Sequence, residues 1–110
     1  MTKLRWSPLA VRDLEAIRAY VAADSPRYAA LVIERIIIAV ERLTSFPESG
    51  RIVPERNDPA IREVIVAPYR VVYRLRPGLV EIATVFRASR MLPEVGQEAA
   101  EQEAATTGWS

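Results

Sequence analysis

APYRVVYRLRPGLVEIATVFRASR runs from Ala67 to Arg90. Tyr69 to Arg76 and Leu79 to Arg87 have the β-branched and aromatic content of strands, and Pro77-Gly78 between them is a turn dipeptide. The segment therefore reads as two strands around a tight turn. It carries five arginines (Arg70, Arg74, Arg76, Arg87 and Arg90) and one acid, Glu81. Strand alternation puts Arg70, Val72, Arg74 and Arg76 on one face and Tyr69, Val71, Tyr73 and Leu75 on the other. The tyrosine face is the better core face, so the arginines are expected on the face away from it. There they are solvated, paired with Glu63 across the sheet, or held for an acidic partner or a phosphate.

Working upstream, IREVIVA (Ile61 to Ala67) is a further strand, with Ile61, Glu63 and Ile65 on one face and Arg62, Val64 and Val66 on the other. Pro68 separates it from the hairpin. Glu48 to Asn57, with Gly50 and Pro54, reads as a loop. Leu79 to Arg87 is mostly apolar, which places it inside the sheet rather than at an edge.

Two helices precede these strands. Ser7-Pro8 is a capping residue followed by proline at the first helical position. Ala10, Leu14, Ile17 and Val21 then recur at the spacing of one helix face, predicting a helix over about Pro8 to Ala23. Asp24-Ser25-Pro26 repeats the start signal, and a second helix is expected from about Pro26 to Ser45, ended by Phe46-Pro47. Its apolar stripe is Ala29, Ile33, Ile36, Ile37, Val40 and Leu43, widened by Leu31, Val32 and Ile38. A helix apolar on more than one side packs on a sheet and against something else as well. KLRWS (Lys3 to Ser7) is a short opening strand candidate. The order strand, helix, helix, then three strands predicts an α+β domain, with an antiparallel helical hairpin on one face of a small, mainly antiparallel sheet.

One hundred and ten residues, half of them hydrophobic, support one core. There is no cysteine, so disulfides and thiolate metal sites are excluded. There is no histidine, which removes imidazole bases, Ser-His-Asp and Cys-His arrangements and nearly all zinc sites. No metal or cofactor is expected. Met1 to Trp6 does not have the form of a signal peptide, and the IIIAV run (Ile36 to Val40) is far too short to span a bilayer. A soluble cytoplasmic protein with no membrane partner is expected. The net charge of +1 conceals an asymmetry: four of the 14 acids and none of the 15 basic groups lie beyond Arg90, so the first 90 residues are five charges positive. The chain divides into a body, 1–92, and an acidic Ala/Glu-rich tail, 93–110, which reads as a weak helix with a frayed end.

WSPLAVRDLEAIRAYVAADSPRYAALVIERI resembles the start of the ParE branch of the RelE/ParE toxin superfamily, through Trp6, Pro8, Ala10, Asp13, Leu14, Ile17, Tyr20 and Pro26. FPESGRIVPE (Phe46 to Glu55) and the later IRE, PYRVVYRL and VEIATVFRASR blocks resemble the same superfamily, in the same order, over about residues 4 to 92. The resemblance implies the toxin of a type II toxin–antitoxin pair. Members of the ParE branch poison DNA gyrase, and members of the RelE branch cleave mRNA on the ribosome. Both are neutralised by an antitoxin whose C-terminal segment, usually acidic, wraps the toxin. One departure is visible: Arg87 stands where many members have histidine in the last strand, while the late arginine, Arg90, is retained.

Under the nuclease reading, Glu55 would be the base, and Arg70 and Arg90 would hold the phosphate, as planar guanidinium does well. A proton donor for the leaving oxygen is missing: there is no histidine, no tyrosine between Tyr73 and the chain end, and no lysine but Lys3. The first expectation is therefore a gyrase-directed toxin that acts by binding. Ribosome-dependent mRNA cleavage by Glu55, Arg70 and Arg90 is the alternative, and an inactive member that only binds its antitoxin is a third. In the binding reading Arg70, Arg74, Arg76, Arg87 and Arg90 form an interaction surface for the antitoxin and the target. Leu31, Val32 and Ile38 are candidates to receive the antitoxin or a second copy.

Overall fold

The computed structural model describes residues 2–90. The acidic tail and the body–tail boundary expected near residue 92 lie outside the described residues. Five strands and two α-helices follow one another as β1 (Lys3–Trp6), α1 (Pro8–Ala22), α2 (Pro26–Glu41), β2 (Arg51–Ile52), β3 (Ile61–Val66), β4 (Tyr69–Arg76) and β5 (Leu79–Arg87). The sheet order is β1-β5-β4-β3-β2; β1 runs parallel to β5 and every other pair is antiparallel. This is the expected α+β arrangement, with the apolar β5 hydrogen-bonded on both sides.

Local chemistry starts both helices. Ser7 Oγ accepts from Ala10 N at 3.0 Å and Ser25 Oγ accepts from Tyr28 N at 3.1 Å, each followed by proline at the first helical position. The second helix ends earlier than its apolar pattern predicts. Regular α-helix stops at Glu41 and Arg42–Thr44 form a tighter 3₁₀ turn that still buries Leu43. The β4–β5 link is Pro77-Gly78, with Gly78 at φ 68°, the left-handed value that a type II turn requires at its third residue. The expected loop over Glu48 to Asn57 contains β2, two residues long, which exists by pairing Arg51 with Glu63 and Ile52 with Arg62.

The main core lies between helices and sheet. Ile36, Val40 and Leu43 of the second helical segment meet Val71, Tyr73 and Ile82 of the sheet, all essentially inaccessible. Burial pushes the Tyr73 hydroxyl pKa up, so it stays protonated. It donates to Pro47 O at 2.7 Å and accepts from Gly50 N at 2.9 Å, which anchors the chain entering β2.

The other sheet face is not uniformly open. Val53, Val72 and Ala83 form a second apolar cluster there, flanked by Ile61 and Phe86. The loop from Val53 to Ala60 lies over this half of the face, with Val53 fully buried. Only the part built from β1, the end of β4 and the start of β5 is left uncovered by it.

Candidate functional site

Arg70 sits where the loop meets the sheet. Antiparallel pairing sets Ile65 opposite Arg70, which brings Glu63, two residues along the same face, within reach of the Arg70 guanidinium. Arg70 Nε donates to Glu63 Oε1 at 2.6 Å. The chain leaving β2 returns Glu55 over the sheet, and Arg70 Nη1 and Nη2 donate to its two oxygens at 2.8 Å each. Nη1 also donates to the carbonyl of Arg90 at 3.0 Å, and the guanidinium lies 5.1 Å from the centre of the Phe86 ring. The side chains of Arg70, Glu55 and Glu63 are 6%, 10% and 0% exposed. Arg51, itself exposed, donates to the second oxygen of Glu63 at 2.6 Å.

Bidentate bonding to Glu55, joined by Glu63, raises the Arg70 pKa above its ordinary value despite burial. This guanidinium is permanently charged and geometrically fixed. Of the fates that strand alternation left open for Arg70, pairing with Glu63 is the one found, and the loop that brings Glu55 over the same guanidinium is what alternation does not report. Of the proposed nuclease trio, Glu55 and Arg70 come together, and Arg90 contributes its backbone carbonyl to the cluster. Arg76 likewise donates to Glu81, so the hairpin's positive charge is partly matched.

The exposed candidates fall elsewhere. Arg87 and Arg90 line a groove of about 430 Å³ with Asp13, Ile17, Tyr20 and Phe86. On α2, Leu31 and Ile38 are each 50% exposed, on the side away from the core, with Tyr28 nearby at the same level. Val32, which the sequence groups with them, is instead buried in the main core, one helical turn from Ile36. Arg74 and Arg76 are half-buried at the far end of β4. Among the described residues, no three carboxylates converge as metal ligands, and no helix is long and apolar enough to cross a membrane.

Asp13, at the groove floor, is a residue whose role sequence reasoning missed. The β1–β5 ladder stops at Trp6 and Ile82. Beyond it, Asp13 Oδ2 accepts from Thr84 Oγ1 at 2.6 Å and from Val85 N at 2.9 Å, taking the place of a neighbouring strand. Burial raises its pKa above 3.8, outweighing those bonds and the attraction of Arg12 and Arg90. The folded state therefore binds this proton more tightly than the unfolded chain. Its contribution to stability is greatest below pH 3.8 and declines as pH rises through the raised folded value. Compared with Asp13→Asn in urea melts from about pH 3 to 7, wild type should lose relative stability as pH rises across that window.

With this geometry in hand, comparison with known proteins is decisive. The family model for the ParE toxin of type II toxin–antitoxin systems, parDE, matches residues 4–92. The chain belongs to the ParE toxin family. It is 41% identical to protein Y4kP of Sinorhizobium fredii over 95 residues, covering 84% of this chain and 95% of that one. It is 35% identical to toxin RelE2 of Caulobacter vibrioides over 92 residues, covering 83% of this chain and all of that one. Among solved structures, the chromosomal ParDE system of P. aeruginosa contains a chain with TM-score 0.66 and 26% identity, matched over 79% of this chain and 96% of its own length. The RelBE2 toxin–antitoxin complex of Mycobacterium tuberculosis gives TM-score 0.54 at 22% identity, over 81% and 93% respectively, a likeness of fold. ParE membership accounts for the helical hairpin on a five-stranded sheet and places the protein in the RelE/ParE toxin superfamily.

Proposed function

We propose that this ParE-family protein poisons DNA gyrase in the cytoplasm by binding it, with no chemistry of its own. A cognate antitoxin with an acidic C-terminal segment holds it inactive. The observation that carries the non-enzymatic part is the buried Glu55–Arg70 pair. Both oxygens that a nuclease would use as base already accept from Arg70, and the arginine that would stabilise a phosphorane is spent on two carboxylates. A guanidinium with a raised pKa is also a poor proton donor, and the chain has no histidine.

Binding needs surface instead. A segment that folds on its partner must bury apolar area to offset its ordering entropy. Leu31 and Ile38 on α2 supply such area, and Arg87 and Arg90 at the groove supply charge complementary to an acidic segment. The test uses purified toxin with gyrase, ATP and relaxed plasmid, with and without antitoxin. The expected result is blocked supercoiling with DNA breaks revealed by protease, both reversed by antitoxin. Unimpaired gyrase, with a folded toxin that still binds antitoxin, would move the target to ribosome-bound mRNA.

A further inference from the structure

The groove of about 430 Å³ beside Arg87 and Arg90 joins two chemistries. Ile17 and Phe86 give it apolar walls, and Tyr20 stands 76% exposed at its side. Arg87 and Arg90 are both exposed and supply positive charge. Asp13, the acid among the lining residues, is tied to β5, where its Oδ2 accepts from Thr84 and Val85. Past Tyr20, Tyr69 and Arg87 the groove adjoins a second hollow of about 290 Å³, beside Tyr28 and Pro68. Asp24 lines that hollow, so the positive charge belongs to the stretch at Arg87 and Arg90. Apolar and aromatic walls with guanidiniums alongside suit a peptide that mixes acidic and apolar side chains.

The sequence beyond Arg90 has that composition. Residues 93–110, PEVGQEAAEQEAATTGWS, hold Glu94, Glu98, Glu101 and Glu103, no lysine or arginine, and the apolar Val95 and Trp109 among them. The first 90 residues are five charges positive, so the two parts are complementary. Attachment adds to this complementarity. Glu98, Glu101 and Glu103 follow Arg90 by 8, 11 and 13 residues. That is about 25–45 Å of extended chain, enough to turn back onto a groove that Arg90 itself lines. A segment joined so closely meets the groove at a local concentration on the order of millimolar, so even a weak contact is well occupied.

We propose that the acidic tail, 93–110, docks in this groove of its own chain, its glutamates against Arg87 and Arg90. The occupant is the tail in cis and not that of a second copy, because a second chain in micromolar solution competes against the millimolar local concentration of the attached one. The docked tail is a built-in competitor for any acidic partner of the same groove. That consequence for the antitoxin rests on the reading given above; the docking itself rests only on the groove and on the sequence that follows it.

The test uses the full chain without gyrase or antitoxin. The chain has no cysteine, so Ala100→Cys accepts a single nitroxide label. Broadening of the backbone amide signals of Ile17, Tyr20 and Phe86, measured against the reduced label, reports the tail in the groove. At about 20 mM salt these amides should be broadened strongly, and at about 1 M salt, where the screening length is about 3 Å, the broadening should fall at least about twofold. Glu94→Gln, Glu98→Gln, Glu101→Gln and Glu103→Gln together should produce the same fall at low salt while leaving the sequence of residues 2–90 untouched, which excludes misfolding of the body as the cause. Arg87→Gln with Arg90→Gln should match it. Glu15→Gln, Glu34→Gln, Glu41→Gln and Glu48→Gln together change net charge equally at exposed positions outside the groove and should leave the broadening as in wild type. Broadening that is the same in the tail variant as in wild type, or that falls equally in the body control, would overturn the proposal. So would broadening that appears undiminished when labelled chain is mixed with unlabelled, isotope-enriched chain, since the contact would then be made by a second copy. With gyrase and antitoxin both absent, failure here leaves the supercoiling result untouched, and failure there leaves this one.

Discussion

Arg70→Ala is expected to cost the fold about 3–5 kcal/mol, a large part of the roughly 5–15 kcal/mol available to a domain of this size. The reason is what it leaves behind. Glu63 has no exposed side-chain surface, and without Arg70 the side-chain cation left to it among the described residues is Arg51, whose own side chain is 62% exposed. Glu55 loses both of its bonds to the guanidinium, and Phe86 loses the planar group stacked over it. Arg70→Lys keeps the charge but replaces a planar fork with one ammonium, which cannot serve two carboxylates and a carbonyl in the same geometry, so it should recover only part of the loss. Removing both charges with Glu63→Leu and Arg70→Met should be milder than Arg70→Ala alone, because no unpaired charge then remains at the buried Glu63 position. Urea melts of the four proteins check this ordering. An Arg70→Ala variant within about 1 kcal/mol of wild type would mean that the cluster is solvated and available, as a binding or catalytic group would be.

Gly50→Ala is the second large effect. A β-carbon at this position would stand 2.5 Å from Tyr73 Oη, 2.6 Å from the Glu63 carbonyl oxygen and 2.8 Å from Tyr73 Cε1. None of these can move cheaply. One is backbone within the β3 ladder, and the others belong to a buried ring held by Pro47 and Gly50. Overpacking together with loss of the tyrosine's hydrogen bonds should cost about 2–4 kcal/mol. Tyr73→Phe alone should cost about 1–2 kcal/mol. In the double variant one of the clashing atoms is gone, so the combined loss should be smaller than the sum of the two single losses. Additive losses would indicate that Gly50 and Tyr73 are not coupled. Since this contact secures the chain just before β2, Gly50→Ala should also loosen Arg51 from Glu63.

The legible features of the fold were the local ones. Ser7-Pro8, Ser25-Pro26 and Pro77-Gly78 each determine structure within a few residues, and each is found where the sequence puts it. Alternation along β4 also assigned the tyrosines to the core and the arginines to the opposite face. Long-range pairing was less accessible. The parallel β1–β5 contact joins residues 76 apart, and β2 is too short to have a strand signature of its own. The end of α2 was overextended because Leu43 continues the apolar pattern through a turn that is 3₁₀ rather than α.

The site was legible in composition and not in exposure. Glu55 and Arg70 do lie together, but as a buried pair, since alternation cannot report that the loop carrying Val53 and Glu55 folds over the face. Val32 was grouped with Leu31 and Ile38 as a residue widening the stripe, yet its spacing from Ile36 already matches the buried side of the helix. Asp13 was visible as part of the first helix, but its partner Thr84 lies 71 residues away.

We propose that this toxin works by occupying gyrase, with Glu55 serving the fold and not a reaction. Supercoiling inhibition by wild type and Glu55→Gln, compared over a toxin titration, tests it most directly. Glutamine keeps the shape and one carbonyl acceptor for Arg70 while removing the charge that a general base needs. Equal inhibition by the two proteins, reversed by antitoxin in both, is the predicted result. Gyrase untouched by either protein, with wild type cutting ribosome-bound mRNA and Glu55→Gln failing to do so, would contradict it.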